Sequence, residues 1–275
     1  MRDKMIMKLY AKEFFSQKQQ SLSIEPRAPQ DNFPEHTHHD FDEIVIVTEG
    51  KGRHILNGYP HELYAGMILY IEAQDHHLYE NVENLHLTNI LFRDLNHFQF
   101  LHNIGDLLAT MKPEKSLYQV INKKHLTKAL PLIDKLSTQS QLEPLQQESQ
   151  FFQLLTLIKQ QQFDIQGVGN NEEKSMQMLN FLQHNFTENI EWESLAQQFS
   201  LPLRTLYRYI KNQTGETPQN YLNKLRLFEA YYQILYTDKA ITDIAYDCGF
   251  NDSSYFSTCF KREFRLSPRE LRGIK

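Results

Sequence analysis

Two arginines, Arg204 and Arg208, lie four positions apart in a stretch with helical periodicity, so their side chains would project from one helix face. A guanidinium is the side chain best suited to a bidentate hydrogen bond with O6 and N7 of guanine. Such a pair contributes ~1–3 kcal/mol of discrimination between bases. This chemistry requires an exposed helix that fits the major groove of DNA. We expect at least one of the two arginines to contact a base; contact with phosphates alone is the alternative.

The stretch that must position these arginines, residues 192–272, contains the same pattern twice. In each copy a short helix is followed by a tight turn, at Ser200 in the first and at Gly249 in the second. Glycine adopts the left-handed dihedrals of such a turn without steric cost. The second turn is one residue longer than the first. We therefore predict two helix-turn-helix motifs, at about residues 193–214 and 241–264.

The outward faces of the second helix of each motif are the predicted DNA-binding surfaces. In the first copy Leu206 and Ile210 form a buried stripe, so the polar positions around them face outward. The predicted DNA-binding residues are Arg204, Thr205, Tyr207, Arg208 and Lys211 in the first copy, and Ser253, Ser254, Ser257, Thr258 and Lys261 in the second. Hydroxyl groups both donate and accept hydrogen bonds, so we expect the second helix to read bases less strictly.

A long helix is predicted between the two motifs, over residues 217–236. Thr217 can cap its N-terminus, and Pro218 suits the first helical position. A helix of this length spans ~30 Å. Successive major grooves on one face of DNA are ~34–36 Å apart. The linking helix therefore has about the length needed to place both recognition helices in adjacent grooves.

The second copy carries a pattern that is specific to one family. The matching residues are Ile244, Ala245, Gly249, Phe250, Tyr255, Phe256, Phe260, Lys261, Ser267, Pro268 and Arg272. On these residues the C-terminal part of the chain resembles the AraC/XylS transcription regulators. The resemblance implies binding to half-sites in double-stranded operator DNA. Two positions depart from the family pattern: Leu271 stands where an aromatic residue is usual, and Thr258 stands where arginine or lysine is frequent.

The first half of the chain has the residue pattern of short β-strands. Between about residues 33 and 92, β-branched and alternating segments are separated by turn residues, such as the hairpin signal Asn57-Gly58. Residues 1–30 include two prolines, show little periodicity and are predicted to be an extended lead-in. Short strands with frequent turns favour a small β-barrel.

Polar residues on these strands resemble those of a cupin. His36, His38, Glu43 and Gly50 fit the first cupin motif, whereas Gly66, His77 and Asn81 match the second only in part. In cupins that bind a metal, the positions matching His36, His38, Glu43 and His77 hold the ion, and this donor set suits a divalent cation. The alternatives are an effector pocket, as is general in the AraC/XylS family, or a structural role. We expect no metal or cofactor; the candidate pocket residues are His36, His38, Glu43, Arg53, His77 and Tyr79.

Two helical stretches follow the strands, within residues 122–162. The first has an apolar stripe containing Pro131, which would split the helix, and the second runs from Leu145 to Ile158. These helices either cover the barrel or form a homodimer contact, and both roles can hold together.

The predicted fold class is α+β with two domains, a cupin-like β-barrel with trailing helices followed by an all-α domain with two helix-turn-helix motifs joined by a long helix. We predict an effector-binding and dimerisation domain at residues 1–163, a linker at 164–172 and an AraC-type DNA-binding domain at 173–275.

A closer resemblance exists within the family. The stretches that carry it include Ile24-Glu25-Pro26-Arg27, Phe33-Pro34-Glu35-His36, His77-Leu78-Tyr79-Glu80 and Tyr221-Leu222-Asn223. They are similar to members that respond to L-rhamnose, which implies a cytoplasmic activator of rhamnose catabolism and uptake genes with L-rhamnose as its effector. A sister regulator of the regulatory genes is one alternative. A metal-dependent cupin enzyme, such as an isomerase or a dioxygenase, is another, but the sequence offers no nucleophile–base arrangement and we do not expect an enzyme.

Two acidic residues in the second copy, Asp243 and Asp252, stand near predicted helix N-termini within a domain that must approach phosphates. Helix capping is one interpretation, since carboxylates accept hydrogen bonds from the first backbone N–H groups. Contact with the basic sigma subunit of RNA polymerase is the other, because an activator bound beside a promoter must touch the polymerase. We predict a sigma contact, with Asp243 the stronger candidate.

Composition sets limits on the partners. The formal net charge is −5, yet from Arg204 onward basic residues outnumber acidic ones, 12 to 8. We therefore expect moderate DNA affinity that depends on a second protomer. The sequence has no apolar run of ~18 residues, so no membrane span is expected. The two cysteines, Cys248 and Cys259, are expected to be small core residues in a reducing compartment.

Overall fold

The computed structural model describes residues 6–112, 118–138, 143–164 and 171–274. The strands and the helices up to Asp164 make one compact unit, and the helices from Asn171 onward make another. Most of the predicted linker at 164–172 lies outside the described residues. No described helix is long and apolar enough to cross a membrane.

The N-terminal unit is built on one eight-stranded sheet. Its strands are β1 (Met7–Tyr10), β2 (Leu22–Gln30), β3 (Phe33–His39), β4 (Asp42–Leu56), β5 (Tyr59–Tyr64), β6 (Met67–Ile71), β7 (His76–Phe92) and β8 (Tyr118–Val120). The two longest strands organise it: β4 pairs antiparallel with β6 and β7, and β7 also pairs with β2 and β3. The predicted hairpin turn between β4 and β5 is confirmed, since Asn57 and Gly58 both have positive φ, at 51° and 80°.

The segment predicted as an extended lead-in contains β2, a strand of the sheet that the sequence analysis did not predict. β2 pairs with β7 from Leu22 opposite Phe92 to Gln30 opposite Leu85, with an irregularity after Arg27. Pro26 and Pro29 cannot donate to a ladder, but β2 pairs only with β7 among the described strands. Proline is tolerated on such an edge strand. The prolines hid the strand from a periodicity argument without preventing its formation.

Among the described residues, three α-helices complete this unit: α1 (Ile104–Ala109), α2 (Lys123–Thr138) and α3 (Pro144–Asp164). They bury Leu126, Ile133, Phe151 and Leu155 in the same apolar core as strand residues such as Ile44, so the helices do cover the sheet. The split predicted at Pro131 is wrong, because α2 is continuous through it.

Glu148 of α3 attaches this helical cover to the rest of the unit. Its side chain is fully buried, and its two carboxylate oxygens accept four hydrogen bonds. The donors are Ser21 Oγ at 3.2 Å and the backbone N–H groups of Gln99 at 2.8 Å, Phe100 at 2.9 Å and Leu101 at 3.2 Å. A buried carboxylate is costly unless its oxygens are paired, so these donors account for its presence in the interior.

The C-terminal unit is all helical. Its helices are α4 (Asn171–Asn185), α5 (Trp192–Gln198), α6 (Leu203–Thr214), α7 (Pro218–Tyr236), α8 (Ile241–Asp247), α9 (Ser253–Phe264) and α10 (Pro268–Arg272). The two predicted helix-turn-helix motifs are present as α5–α6 and α8–α9. Each has its own apolar cluster, one around Leu206 and Ile210 and one around Phe256 and Phe260.

The two motifs share one turn geometry. Ser200 and Gly249 both adopt positive φ, at 51° and 89°. The next residue closes an equivalent backbone hydrogen bond in each copy, from Leu201 N to Ala196 O at 2.8 Å and from Phe250 N to Ala245 O at 3.0 Å. The left-handed turn predicted from the sequence is therefore confirmed in both copies.

The long linking helix and the two cysteines agree with the sequence analysis. Thr217 caps α7 by accepting a hydrogen bond from Asn220 N at 3.3 Å, and Pro218 follows as the first helical residue. Cys248 and Cys259 are free and buried in the second apolar cluster. Burial raises the pKa of the Cys248 thiol to about 12. The thiol therefore stays protonated and serves as an unreactive side chain of the core.

Candidate DNA interface and effector cavity

The outward face of α6 presents the cations predicted from the sequence. Arg204, Arg208 and Lys211 are exposed, and Thr205 is half-buried. Within the described part of the chain, neither arginine takes part in an ion pair. Tyr207 is also exposed, and its ring lies 6.3 Å from that of Trp192, the first residue of α5. The two guanidinium groups are therefore free for an external acceptor such as a base edge or a phosphate.

The outward face of α9 offers fewer free hydrogen-bonding groups to DNA than that of α6. Ser254, Thr258 and Lys261 are exposed, whereas Ser253 and Ser257 are half-buried. The hydroxyl of Ser257 donates to Ser253 O at 2.9 Å, and that of Thr258 donates to Ser254 O at 3.0 Å. Such hydrogen bonds to the preceding turn are common for hydroxyl side chains in helices. Two of the predicted DNA-binding residues thus use their only donor inside the helix.

Tyr255, an exposed aromatic residue on α9, was not included among the predicted DNA-binding residues. Its side chain is 53% exposed and lies on the same helix as the predicted serines. The signal was present in the internal repeat, because Tyr255 occupies the position that Thr205 has in the first copy.

Asp243 and Asp252 differ in their structural roles. Asp252 is the N-cap of α9, where its carboxylate accepts a hydrogen bond from Tyr255 N at 2.7 Å. α8 begins after Ala240, and no side chain caps it. Asp243 therefore lies exposed in the first turn of α8 without a capping role. The capping interpretation accounts for Asp252 and leaves the carboxylate of Asp243 available to a partner.

A cavity of about 320 Å³ lies in the N-terminal unit, lined by side chains from β1, β2, β3, β4 and β7. Four of the six predicted pocket residues line it, namely His36, His38, Glu43 and Tyr79. His77 lies fully buried beside them. Arg53 was predicted to belong to the pocket but does not line it. Its guanidinium instead lies 3.7 Å from Glu62 and 3.3 Å from Glu80.

Several polar residues of the cavity were not identified from the sequence. They are Glu25, Arg27, Gln30, Asp31 and Asn89. Three of them lie on β2, within the segment that the sequence analysis predicted to be an extended lead-in. Once β2 is recognised, its pairing with β7 places Glu25 opposite Asn89.

Four buried polar atoms of cavity residues have no hydrogen-bond partner among the described residues. They are Nδ1 of His38, Oε2 of Glu43, the hydroxyl of Tyr79 and Oδ1 of Asn89. Leaving such a group unpaired costs ~1–3 kcal/mol, and most buried polar atoms in proteins are paired. The four atoms therefore indicate a ligand that supplies both donors and acceptors.

The histidines at the cavity floor form a compact cluster. Nε2 of His77 lies 3.2 Å from Nε2 of His38. Oε2 of Glu43 lies 3.3 Å from Nε2 of His38 and 3.7 Å from Nε2 of His77. His36 joins His38 and His77 in a set of three histidines whose ligand atoms lie within 4.8 Å of one another. Nδ1 of His77 is hydrogen-bonded to Nε2 of His54 at 2.8 Å, which directs its other nitrogen to the cluster.

These distances are compatible with a tetrahedral ion. Ligand atoms at ~2.0–2.1 Å from zinc lie about 3.3 Å apart, close to the separations found here. His36, His38, His77 and Glu43 are therefore the residues that could hold a divalent cation.

Burial makes the same cluster electrically neutral. Desolvation, followed by the charge of His36, lowers the pKa of His38 to about 3. Desolvation also lowers the pKa of His77 and raises that of Glu43 to about 8. At pH 7 the imidazoles are therefore uncharged and the carboxyl is protonated. A site of this kind can exchange hydrogen bonds with a neutral polyhydroxylated molecule.

Two recognition helices on one helical unit, together with a separate sheet that encloses a polar cavity, define a ligand-responsive DNA-binding regulator. Residues 195–273 match the family model "Helix-turn-helix domain", and residues 20–155 match "AraC-like ligand binding domain".

Curated relatives match over nearly the whole chain. The chain is 59% identical over 268 residues to the HTH-type transcriptional activator RhaS of Mannheimia succiniciproducens, covering 98% of this chain and 100% of that protein. It is 44% identical to the activator of the same name from Yersinia pestis, covering 96% and 98%. Among solved structures, the C-terminal domain of the response regulator AraT from Geobacillus stearothermophilus is 27% identical, with a TM-score of 0.36, over 39% of this chain and 89% of that one.

The chain belongs to the AraC family of transcription regulators. It is a DNA-binding regulator with a ligand-binding domain, and the alternative of a metal-dependent enzyme is rejected because its relatives are transcriptional activators.

Replacing Arg208 with alanine is expected to relax base preference at one or two base pairs within one groove. A bidentate arginine–guanine pair contributes ~1–3 kcal/mol, or about 5- to 150-fold in affinity. Selection of duplexes from a randomised pool by the wild-type and Arg208→Ala proteins measures this change. Lys211→Ala is the control, because losing a phosphate contact weakens binding to all sequences alike. A uniform loss in Arg208→Ala as well would exclude base contact.

Proposed function

We propose that the chain is an L-rhamnose-responsive transcription activator. It acts in the cytoplasm, binds repeated operator half-sites as a homodimer and recruits RNA polymerase through the sigma subunit. Its targets are the genes of rhamnose catabolism and transport; control of the regulatory genes is the alternative within the same system. The observation that carries the effector assignment is the set of unpaired polar atoms around one neutral cavity.

The lining of the cavity suits a deoxyhexose. Its polar residues include the unpaired groups of His38, Tyr79 and Asn89, which can bind the hydroxyls of a sugar. Its apolar residues, which can contact a methyl group, are Leu9, Phe14, Phe33, Phe41 and Leu91. L-Rhamnose differs from most hexoses in having a methyl group in place of the terminal hydroxymethyl group. The combination of surfaces therefore supports this sugar over a fully hydroxylated one.

Tyr79→Phe is expected to weaken L-rhamnose binding about 5- to 50-fold, because the sugar hydroxyl that meets Tyr79 loses its partner. Isothermal titration of the full chain measures this loss, and Tyr64→Phe is the matched control, since Tyr64 is buried outside the cavity. L-Mannose, which carries the extra hydroxyl, should bind less tightly than L-rhamnose. Equal binding of the two sugars, or a Tyr79→Phe protein with unchanged affinity, would refute the assignment.

The second copy of the chain is proposed to dock on α2 and α3. These helices leave Leu130, Leu145 and Phe152 exposed. A groove of about 430 Å³ between them is lined by exposed Phe152 and by half-buried Leu132 and Leu157. Apolar side chains accessible along one groove favour a protein partner, and a repeated operator favours a second copy.

Phe152→Asp is expected to shift the protein from dimer to monomer, because the interface would have to bury an unpaired carboxylate. Sedimentation velocity at tens of micromolar measures the change. Phe100→Asp is the control, since Phe100 is similarly exposed but lies outside α2 and α3. A wild-type protein that sediments as a monomer would rule out this interface.

Asp243→Asn is expected to lower transcription several-fold while leaving operator affinity and thermal stability unchanged. The exposed carboxylate of Asp243 has no capping role, so its charge is available to a basic surface of the sigma subunit. Asp247→Asn on the same helix is the control, because Asp247 already pairs with Lys239 at 2.7 Å. Reporter transcription and binding are measured in parallel, and an equal loss of both in Asp243→Asn would contradict a polymerase contact.

A further inference from the structure

The linking helix α7 carries polar side chains on a face where apolar packing would be expected. Gln219, Asn223 and Arg226 follow one another at intervals of four and three residues, so they lie along one side of the helix. Asn223 is only 5% exposed and Arg226 only 8%. Arginine is seldom buried to this extent unless it is paired. We call these three residues the polar row.

The polar row connects the two helix-turn-helix motifs through a chain of hydrogen bonds. At one end Trp192 Nε1, at the start of α5, donates to Gln219 Oε1 at 3.3 Å. Gln219 Nε2 then donates to Asn223 Oδ1 at 3.1 Å. At the other end Asn223 Nδ2 donates to the hydroxyl of Tyr255 on α9 at 3.3 Å. Because Trp192 also contacts Tyr207, the chain extends from one recognition helix to the other.

Arg226 adds a second connection between the motifs. Its Nε donates to Phe186 O at 2.7 Å and its Nη2 to Glu188 O at 2.8 Å, both in the segment that leads into α5. The same guanidinium lies against the turn of the second motif. A Cβ added at Gly249 would lie 2.9 Å from Arg226 Nε and 2.6 Å from Thr187 O. The glycine turn of the second motif is therefore packed on the segment that precedes the first.

Apolar packing alone would leave the angle between the motifs loosely defined. The hydrophobic effect has no direction and is proportional to the area buried, so two apolar faces tolerate small rotations. Hydrogen bonds weaken steeply when their geometry is distorted. Buried polar groups are also known to fix register between helices at a cost in stability. Directional contacts from α7 to both motifs would restrict the relative rotation of α6 and α9.

We propose that the polar row positions the two recognition helices relative to each other and thereby sets the spacing between the two DNA grooves that one protomer reads. Gln219, Asn223 and Arg226 are positioning residues: they act through Trp192, Tyr255 and Gly249. This inference rests on the proposed binding of one protomer to two adjacent major grooves.

The test uses duplexes selected from a random pool by the wild-type protein, with one base pair then added or removed between the two groove sites. One base pair rotates the second site by about 35° relative to the first. Wild type is expected to bind both altered duplexes at least tenfold more weakly than the selected one. Asn223→Leu, which keeps the branching at Cγ and the number of heavy atoms but removes both hydrogen bonds, should reduce this ratio to threefold or less. Its affinity for the selected duplex should stay within a few-fold of wild type.

Tyr255→Phe is the second variant, because it removes one hydroxyl from an exposed residue and should not affect folding. It should reduce the spacing ratio, and combining it with Asn223→Leu should reduce the ratio no further, since both changes break the same hydrogen bond. Tyr246→Phe is the matched control: Tyr246 is an exposed tyrosine on α8, and its loss of a hydroxyl should leave the ratio unchanged.

The outcomes separate this inference from the function on which it rests. If wild type ignores the added base pair, binding across two grooves is wrong. If wild type discriminates and Asn223→Leu and Tyr255→Phe discriminate equally well, the polar row does not set the spacing. A loss of affinity by one common factor for all three duplexes would likewise assign the row a purely structural role and overturn the proposal.

Discussion

The cost of removing polar groups from water divides the interior of this protein into two kinds of site. Glu148, Asn223 and Arg226 are buried with their hydrogen bonds made, and each connects elements that apolar packing would leave less strictly placed. His38 and Tyr79 are buried and Asn89 is half-buried; each has an unpaired buried polar atom, and all three line one cavity. Since unpaired groups carry a free-energy penalty, the paired groups stabilise the scaffold, whereas those around the cavity are available to a ligand.

The cost of removing charged groups from water also determines the protonation states of the side chains in the cavity. Glu43 is 2% exposed, and its carboxyl has only neutral imidazoles as close partners. Its raised pKa and the lowered pKa values of His38 and His77 share their largest cause, desolvation by burial. A sugar has no charge to oppose such an environment, whereas an organic anion would meet a site without a free cation at its floor. Arg27 at the cavity wall is the nearest cation among the lining residues, and it pairs with Glu25 at 3.5 Å.

The sequence predicted the DNA-binding unit well because its signals are local. The apolar spacing of Leu206 and Ile210 and the turn residues Ser200 and Gly249 each depend on a few neighbouring positions. The N-terminal unit was harder because its prolines obscured β2, and with it Glu25 and Arg27. Arg53 was misplaced because strand pairing decides on which side of the sheet a residue faces. His36, His38 and Glu43 were found because the cupin resemblance supplied long-range information that periodicity lacks. The polar row was not foreseen, since polar residues on a helix normally indicate a solvated face.

The hydroxyls of α9 have a consequence for the chemistry of the bases opposite them. Ser257 and Thr258 each have one proton, and each donates it to a carbonyl of the preceding turn. What their oxygens present to the groove is lone pairs alone. In the major groove, hydrogen-bond donors come only from the exocyclic amines, N4 of cytosine and N6 of adenine. Ser257 and Thr258 can therefore accept a hydrogen bond from one of these amines, but they cannot donate one to the acceptor atoms of guanine or thymine.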